Sequence, residues 1–314
     1  MKKINNCKLC KNNSFKFLFE ISDKSLRIPG NFKLNKCRNC GVLFLNPQPS
    51  KKELKKYYPK EKYYSLKSIE TKENSQKTRL KIFLYDLYFG VRKNLLLKFF
   101  FSAIKFSVRG TKIMERKKLL DIGSGSGQFL YDMKQLGMVV YGVEPSKFDE
   151  KGSKENGLNI KKSSLKKGIF KKDSFDIITI NHVLEHTDNP LRTIKEIFRI
   201  LKKKGTLIIG VPNYNSLAYS LFGKNWYQLD VPRHLFNFSG KNLMKILEKE
   251  GFKVEKVRYN SIPSQFVISL LFALNIKNRN KLIISFLDIL FLPLTWLVNL
   301  LMIGDQIEIF LEKE

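Results

Sequence analysis

The stretch KKLLDIGSGSGQFLYDMKQLG, residues 117 to 137, has the pattern of a buried strand, a tight turn and a helix. Its apolar start fits a strand, and the apolar residues after position 128 recur at helical spacing. The turn between them contains Gly123, Gly125 and Gly127, which permit positive φ angles and let a ligand approach the backbone. The stretch therefore predicts a strand–turn–helix unit that binds a ligand at its turn.

The glycine pattern differs from that of dinucleotide-binding turns. Their fingerprint is G-x-G-x-x-G, but the sixth residue counted from Gly123 is Gln128. The pattern here is D-x-G-x-G-x-G, with Asp121 as its leading acid. The next predicted strand, MVVYGVEPS (138 to 146), ends near Glu144, where a carboxylate can accept hydrogen bonds from ribose hydroxyls. Both features belong to the carboxyl ends of strands, where ligands bind in such sheets.

The stretch NHVLEHTDNP (181 to 190) contains the H-x-x-E-H signature of one zinc-protease class, ending at His186. It follows the apolar run SFDIITI (174 to 180), which predicts a buried parallel strand. The protease motif needs both histidines on one helix. Here Asn189 can cap a helix and Pro190 can occupy its first turn, so the helix begins after the histidines. The signature therefore lies on a strand-to-helix turn, and its position argues against a zinc protease.

The residues beyond this turn continue to alternate between helices and strands. A helix is predicted over 191–205, a strand over 206–212 and a second helix over 240–251. Another strand is predicted over 253–259, and alternation over 305–314 predicts a final antiparallel strand. Together these elements predict an α/β fold with a doubly wound sheet.

Five blocks in this order resemble the class I S-adenosylmethionine-dependent methyltransferases. They are LLDIGSGSG, VYGVEPS, FDIITINHVLEHTDNP, EIFRILKKKGTLIIGVPN and NWYQLDVPRHLFNFS, between about residues 115 and 260. The resemblance implies a Rossmann-like domain with a seven-stranded sheet that binds S-adenosylmethionine. The chain is most similar to bacterial methyltransferases that join this domain to an N-terminal zinc-binding module. Several of those act on sugars or envelope glycans.

The resemblance also implies which residues contact the cofactor. It assigns this role to the acid and glycines of the first turn and to the acid that ends the second strand. We add the third glycine and the asparagine at the end of the next strand. The predicted cofactor-binding residues are Asp121, Gly123, Gly125, Gly127, Glu144 and Asn181.

Methyl transfer to a hydroxyl requires correct positioning and removal of a proton. Histidine titrates near neutral pH and suits the role of base. His186 and His234, the latter in DVPRHLF (230 to 236), are both candidates, and the sequence does not choose between them. An arginine in the acceptor pocket could hold a phosphate or carboxylate. The predicted acceptor-pocket residues are Tyr214, Trp226, Tyr227 and Arg233.

All four cysteines fall in two C-x-x-C pairs, which can supply four thiolates to a tetrahedral Zn²⁺. A site with four protein ligands is closed, so we expect a structural zinc in a ribbon or knuckle module over residues 1–50. A linker with an apolar helix is expected over 51–110. The methyltransferase domain then spans 111–314, with a helical insertion at about 262–304. The predicted zinc ligands are Cys7, Cys10, Cys37 and Cys40.

The linker contains the segment 81–106, which is apolar almost all round and is interrupted by Arg92, Lys93, Lys98 and Lys105. Such a helix either lies on an anionic membrane or docks on the following domain. The tyrosines of the linker either pack against the zinc module or cover the substrate pocket. They are Tyr57, Tyr58, Tyr63 and Tyr64.

The formal net charge is +30, from 58 Lys and Arg against 28 Asp and Glu. This excess favours an anionic partner, although composition bias alone can produce it.

The runs 259–276 and 289–304 carry no charge, and each is near or below the length that spans a bilayer. We expect a helical hairpin that enters one leaflet, with a dimer interface or a lid as alternatives. The N-terminus lacks the apolar core of a secretory signal, which predicts a cytoplasmic protein, at the inner face of the membrane if the hairpin binds there.

The leading hypothesis is methyl transfer to a hydroxyl of a small molecule, namely a sugar or a lipid- or nucleotide-linked glycan. One alternative is a ribose methyltransferase acting on nucleic acid. The cysteines are committed to the zinc pairs and NHVLEH replaces the motif of amine methylases, so methylation of bases is disfavoured. A second alternative is a membrane-associated protein that binds the cofactor without catalysis. The sequence does not predict the oligomeric state.

Overall fold

The computed structural model describes residues 1–59, 76–89, 109–276 and 280–314. Its strands, in chain order, are β1 Phe15–Ser22, β2 Asn31–Cys37, β3 Leu43–Leu45, β4 Lys118–Ile122, β5 Val139–Val143, β6 Asn159–Lys161, β7 Phe175–Asn181, β8 Leu201–Pro212, β9 Phe236–Asn237, β10 Phe252–Tyr259 and β11 Gln306–Lys313. The described α-helices are α1 Lys51–Leu54, α2 Gln76–Phe89, α3 Gln128–Gln135, α4 Glu150–Glu155, α5 Pro190–Ile200, α6 Leu217–Phe222, α7 Gly240–Lys249, α8 Pro263–Ala273 and α9 Lys281–Leu300.

A seven-stranded sheet in the order β10-β11-β8-β7-β4-β5-β6 forms the centre of the molecule. Strands β8, β7, β4, β5 and β6 pair in parallel, whereas β11 is antiparallel to both of its neighbours. The sequence prediction of a seven-stranded, doubly wound sheet with a final antiparallel strand is confirmed. Because β4, β7 and β8 are parallel neighbours, their carboxyl ends meet at one edge.

Alternate residues of the central strands pack into two cores, one on each face of the sheet. Leu119 and Ile177 pack with residues of α2 and α3 on one face. Leu120 and Ile178 pack with residues of α5 and α7 on the other. Helices on both faces explain why β7 is an almost continuous apolar run rather than an alternating one.

The helix expected over 191–205 is shorter in the structure. Helix α5 begins at Pro190, and Asn189 caps it by accepting from the backbone N–H of Arg192. The helix ends at Ile200, and Leu201 is extended, with ψ of 137°. Leu201 pairs with Phe175 at the start of β7, and its carbonyl accepts from the Lys313 side chain. Pairing with the sheet therefore prevails over helix propensity from Leu201 onward.

Helix α2, the described part of the apolar linker segment, docks on the sheet domain. Its Tyr85 ring contacts Phe129 of α3, with centroids 6.0 Å apart. Lys81 forms an ion pair of 2.7 Å with the buried Asp132. For residues 76–89 the structure thus favours docking over membrane contact, while the rest of the segment, 90–106, and Tyr63 and Tyr64 lie outside the described residues.

The N-terminal residues form a second, four-stranded sheet in the order β1-β2-β3-β9. Its fourth strand, β9, comes from the sheet domain: Phe44 pairs with Phe236 and Leu43 with Asn237. Tyr57, in the turn after α1, is buried and donates a hydrogen bond to the carbonyl of Pro29, so this linker tyrosine packs against the small sheet. The N-terminal module is therefore joined to the sheet domain by backbone pairing.

Helices α8 and α9 form a hairpin between the neighbouring strands β10 and β11, where the helical insertion was expected. Among the described residues, one helix, Lys281–Leu300, has the length and composition to cross a membrane, which alone is weak evidence that it does. Helix α9 begins before the uncharged run that starts at 289, and Pro293 lies inside it. The two helices contact through Phe266 and Phe291, whose ring centroids are 5.0 Å apart.

Arg233 forms buried ion pairs that link the N-terminal module to the sheet domain. Its guanidinium binds Asp23 of the module through two hydrogen bonds of 2.8 and 3.0 Å. It also binds Asp230 with 2.9 and 2.7 Å contacts, and donates to the carbonyl of Tyr57 at 3.2 Å. Only 3% of the Arg233 side chain and none of Asp23 is exposed, so removal of one partner leaves an unpaired buried charge.

We expect Arg233→Ala to lower the free energy of unfolding by about 3–5 kcal/mol, because Asp23 loses its buried counter-ion. Urea unfolding of the full chain measures this. The control is Lys33→Ala, which removes an exposed ion pair with Glu20 and should cost less than about 1 kcal/mol. Equal effects of the two substitutions would show that Arg233 does not hold the module in place.

Candidate functional site

The glycine-rich turn connects β4 to α3 at the carboxyl edge of the central sheet. Gly123, Gly125 and Gly127 have φ angles of 74°, 55° and 90°, which disfavour residues with a side chain. A Cβ atom on Gly123 would lie 2.2 Å from Cγ2 of Val183, so the turn packs closely on the end of the neighbouring strand. The three predicted glycines therefore lie together in one tight turn, and Gly123 lines the cavity beside it.

Glu144 lies immediately after β5 and forms hydrogen bonds with the backbone of this turn. One carboxylate oxygen accepts from the N–H of Gly125 at 2.9 Å, and the other accepts from the N–H of Ser146 at 2.8 Å. Each oxygen has further lone pairs, so the carboxylate can still accept from a ligand hydroxyl. The structure thus brings Glu144 against the turn, as its position after the second strand suggested.

Asp121 lies at the end of β4, beneath the turn rather than in an open pocket. Its carboxylate accepts from the Thr179 hydroxyl at 2.7 Å and forms a two-point ion pair with Arg109. The Arg109 guanidinium stacks on the Phe129 ring, 3.8 Å from its centroid. The sequence analysis did not identify Arg109, because nothing in its spacing connects it to Asp121.

Asn181, at the end of β7, packs its side chain over the backbone of Gly210.

A cavity of about 640 Å³ opens beside the turn, within the size range of small-molecule sites. One wall is the carboxyl edge of the sheet, and the opposite wall is the N-terminal module. The sheet wall includes Gly123, Val143, Pro145, Leu165, Val183 and His186. The module wall includes Lys2, Ile4, Lys8, Gln48, Pro49, Lys51 and Leu54. The contribution of the module was also missed, because it depends on contacts between residues that are far apart in the sequence.

All three histidines of the chain surround Glu185, which is fully buried in the turn after β7. His182 Nδ1 lies 3.3 Å from the Glu185 carboxylate and His234 Nε2 lies 4.0 Å from it. The rings of His186 and His234 meet edge to face, with centroids 4.6 Å apart. Burial opposes ionisation of Glu185, but His182 and the charges of the other histidines outweigh it and hold the pKa of Glu185 at about 2.

His186 is the histidine that lines the cavity. Its Nδ1 lies 3.0 Å from the carbonyl oxygen of Arg233 and 3.1 Å from the Tyr58 hydroxyl. Donation from Nδ1 to the carbonyl leaves the lone pair on Nε2. Burial, followed by the charge of His234, lowers the pKa of His186 to about 4. At neutral pH the ring is therefore neutral and able to accept a proton.

His234 takes a different position from His186. It is buried, and its Nδ1 lies 2.8 Å from the carbonyl of Gln228. It packs behind His186 and is not among the residues that line the cavity beside Gly123. The structure thus separates the two candidate bases, which the sequence could not do.

The four residues predicted for the acceptor pocket lie elsewhere in the described part of the chain. Tyr214 donates to the carbonyl of Gly41, at a surface hollow beside the cysteines. Trp226 is buried and donates to Asp305, and the Tyr227 ring lies against Phe272. Arg233 binds the carboxylates described above. Each of these large side chains therefore joins structural elements instead of lining the 640 Å³ cavity.

The four cysteines form one cluster on the N-terminal module. Cys7 and Cys40 have sulfurs 3.7 Å apart, and the sulfurs of Cys10 and Cys37 are 3.5 Å apart. All four sulfurs lie within 4.8 Å of one another. Sulfurs bound to one tetrahedral Zn²⁺ at about 2.3 Å are about 3.8 Å apart, so the residues present fit that ion.

Comparison with known proteins agrees with this geometry. Residues 97–257 match the family described as "Methyltransferase domain". An uncharacterised protein of Methanocaldococcus jannaschii is 29% identical over 134 residues, which are 43% of this chain and 63% of that protein. A ubiquinone biosynthesis O-methyltransferase of Glaesserella parasuis is 29% identical over 173 residues, which cover 49% of this chain and 73% of that enzyme.

A solved structure with a similar fold is an S-adenosylmethionine-dependent methyltransferase from Archaeoglobus fulgidus. It is 23% identical, with a TM-score of 0.44, over 74% of this chain and 99% of that chain. The family match spans the glycine-rich turn, Glu144 and the turn that carries His186. This chain belongs to the methyltransferase domain family.

Proposed function

We propose that the protein transfers a methyl group from S-adenosylmethionine to a hydroxyl of a small-molecule acceptor, with His186 as the base. The observation that carries this proposal is the position of His186. It is a neutral imidazole on the wall of the cavity that the glycine-rich turn shares with the N-terminal module. A neutral base beside the cofactor turn suits an acceptor that loses a proton as it is methylated.

The residues around the turn fit the cofactor. The backbone from Gly123 to Gly127 can receive it closely, and the Glu144 carboxylate can accept from its ribose hydroxyls. Pro145, Leu165 and Val183 offer apolar contacts for a flat base. S-adenosylmethionine, when bound, supplies an electrophilic methyl group on a sulfonium.

The chain's own residues orient the acceptor and take its proton. The Arg233 carbonyl holds Nδ1 of His186, so Nε2 is the atom that would accept the hydroxyl proton. The His234 ring packs edge to face on the far side of the His186 ring. The module residues form one wall of the cavity.

For the acceptor, we propose a sugar that carries a phosphate group, as a nucleotide- or lipid-linked glycan does. Lys2, Lys8, Lys51 and Arg192 line the cavity, against Asp188 as its one acidic lining residue in the described chain. Such a surplus of cations favours an anionic group on the acceptor. A quinone-type phenol is the competing small-molecule acceptor, suggested by the relative named for ubiquinone biosynthesis.

The assay for this function combines the protein with methyl-labelled S-adenosylmethionine and a panel of acceptors. The panel contains nucleotide-linked sugars, lipid-linked sugars, their phosphate-free forms and polyhydroxylated phenols. We expect label in the phosphate-bearing sugars and much less in their phosphate-free forms. Label in the phenols alone would show that the acceptor is a phenol and not a sugar. Failure of calorimetry to detect binding of S-adenosylmethionine would refute the whole proposal.

Substitution of Gly123 by alanine should weaken cofactor binding at least tenfold, because the new Cβ meets Val183 and the φ of 74° is unfavourable for alanine. Titration calorimetry with S-adenosylmethionine measures this. Gly168→Ala is the matched control, since its φ is +94° but nothing lies within 4 Å of the new Cβ. If Gly168→Ala weakened binding equally, general strain rather than the turn would be the cause.

Substitution of His186 by glutamine should lower kcat by about 10²–10⁴, the usual contribution of a general base, and leave cofactor affinity within about twofold. Steady-state kinetics and calorimetry test the two parts separately. His234→Gln is the control, because that ring lies behind His186. Loss of kcat in His234→Gln with retention in His186→Gln would make His234 the base, and no change in either would favour a non-catalytic protein.

The pH dependence of kcat provides a further test of His186. Its pKa is lowered to about 4, so the neutral, proton-accepting form predominates above about pH 5 and is lost only as the pH falls through 4. We therefore expect no kinetic ionisation from His186 near its ordinary value of about 6.5. An acidic limb near 6.5 that disappears in His186→Gln would contradict this assignment.

We also propose that the cysteine cluster holds one structural Zn²⁺. Zinc analysis of the purified chain by mass spectrometry should give about one ion per chain, and Cys10→Ser should lower zinc content and melting temperature together. Asn39→Ser is the control, because it leaves all four thiolates in place. Wild-type protein free of zinc, or a Cys10→Ser variant with unchanged zinc, would refute a four-cysteine site.

A further inference from the structure

The outer side of helix α9 exposes a continuous apolar surface. Over its 20 residues, a length of about 30 Å, the charged residues are Lys281 at the start and the half-buried Asp288. Leu282, Phe286 and Ile289 are 80%, 67% and 72% exposed. We use the name α9 face for the exposed side chains of Leu282, Phe286, Ile289, Leu290, Trp296 and Leu300.

The inner side of the same helix is already occupied. Phe291 packs on Phe266 of α8, and Asn299 exchanges hydrogen bonds with the backbone of Ser261. Only 17% of the most apolar window of α9 is buried, and no other element of the described chain covers the α9 face. Monomeric soluble proteins rarely expose an apolar surface of this extent without a partner.

The composition of the α9 face is that of a lipid contact rather than a protein contact. Protein interfaces surround their apolar centre with a polar rim and several hydrogen bonds. On the outer side of α9, Ser285 is the exposed polar residue between Lys281 and Leu300. A bilayer interior requires no such polar partners, and Trp296 is a residue type that favours the membrane interface.

Basic residues lie beside the α8–α9 hairpin. Lys24 and Arg27 line one groove with Leu271 of α8 and Ile276, which follows that helix. Lys24 is also close enough to Lys224 for the two charges to interact. Lys281 is exposed at the start of α9. Cations at the edge of an apolar helix favour anionic lipids.

The topology favours a helix that lies in the plane of the membrane. Both ends of the α8–α9 hairpin return to adjacent strands, β10 and β11, of the central sheet. A helix that crossed the bilayer would have to leave α8 and give up the contacts of Phe291 and Asn299. Docking of the outer side alone keeps these contacts.

We propose that the α9 face docks on an anionic phospholipid surface and holds the protein there with α9 parallel to the membrane. The cytoplasmic leaflet carries such lipids. The proposal rests on the hairpin alone and does not depend on the identity of the methyl acceptor.

The test is co-sedimentation of the full chain with vesicles of phosphatidylcholine alone or mixed with phosphatidylglycerol. We expect binding to the mixed vesicles, weaker binding to phosphatidylcholine alone, and partial loss of binding at high salt. The double variant Phe286→Glu/Ile289→Glu should bind the mixed vesicles at least tenfold more weakly, because two apolar anchors are lost. Melting temperature and cofactor affinity, measured in parallel, should match those of the wild type.

The matched control is Phe17→Glu/Val139→Glu, which changes two exposed apolar residues and the net charge equally, away from the hairpin. It should retain most of the binding to mixed vesicles. Absence of wild-type binding, equal binding to neutral vesicles, or equal loss in both double variants would overturn the proposal. A wild-type dimer in solution that becomes monomeric in Phe286→Glu/Ile289→Glu, without vesicle binding, would identify a second copy as the partner and overturn it too.

Discussion

Arg233 serves both parts of the molecule at once. Its guanidinium is shared between Asp23 of the N-terminal module and Asp230 of the sheet domain, while its carbonyl holds the ring of His186. Buried guanidinium pairs of this kind depend strictly on geometry, because each charge needs its partner in low dielectric surroundings. The module wall of the cavity and the orientation of the proposed base therefore depend on the same residue.

Because of this coupling, the N-terminal module contributes to the cavity as well as to the fold. A cysteine cluster with four ligands has no open position for chemistry, so zinc there would act by folding the chain. The module nevertheless reaches the site, because β3 pairs with β9 and residues near Gln48 and Leu54 face the glycine-rich turn. Zinc, backbone pairing and the Arg233 ion pairs would thus jointly position one wall of the cavity.

The cluster around Glu185 shows how the fold sets a proton affinity. Three histidines beside one buried carboxylate divide into different roles because their surroundings differ. Although burial lowers the pKa of His182, its contact with Glu185 and its bond to Gln306 raise it overall. His186 has no such close carboxylate contact, so burial dominates and lowers its pKa. The pKa values of these two imidazoles, four residues apart in the chain, are therefore shifted in opposite directions.

The sequence by itself determined most strands of the central sheet, the glycine-rich turn, the position of Glu144 after the second strand, the Asn189–Pro190 helix start and the two cysteine pairs. These features are local: each depends on periodicity, a cap or a fixed spacing within about twenty residues. The end of α5 was misjudged because Leu201 obeys sheet pairing rather than helix propensity. Only the tertiary structure decided that His186 faces the cavity and His234 does not. It alone placed Arg109 on Asp121 and turned Trp226 and Arg233 into structural anchors. Those assignments rest on contacts between distant segments, whose partners a single sequence does not specify.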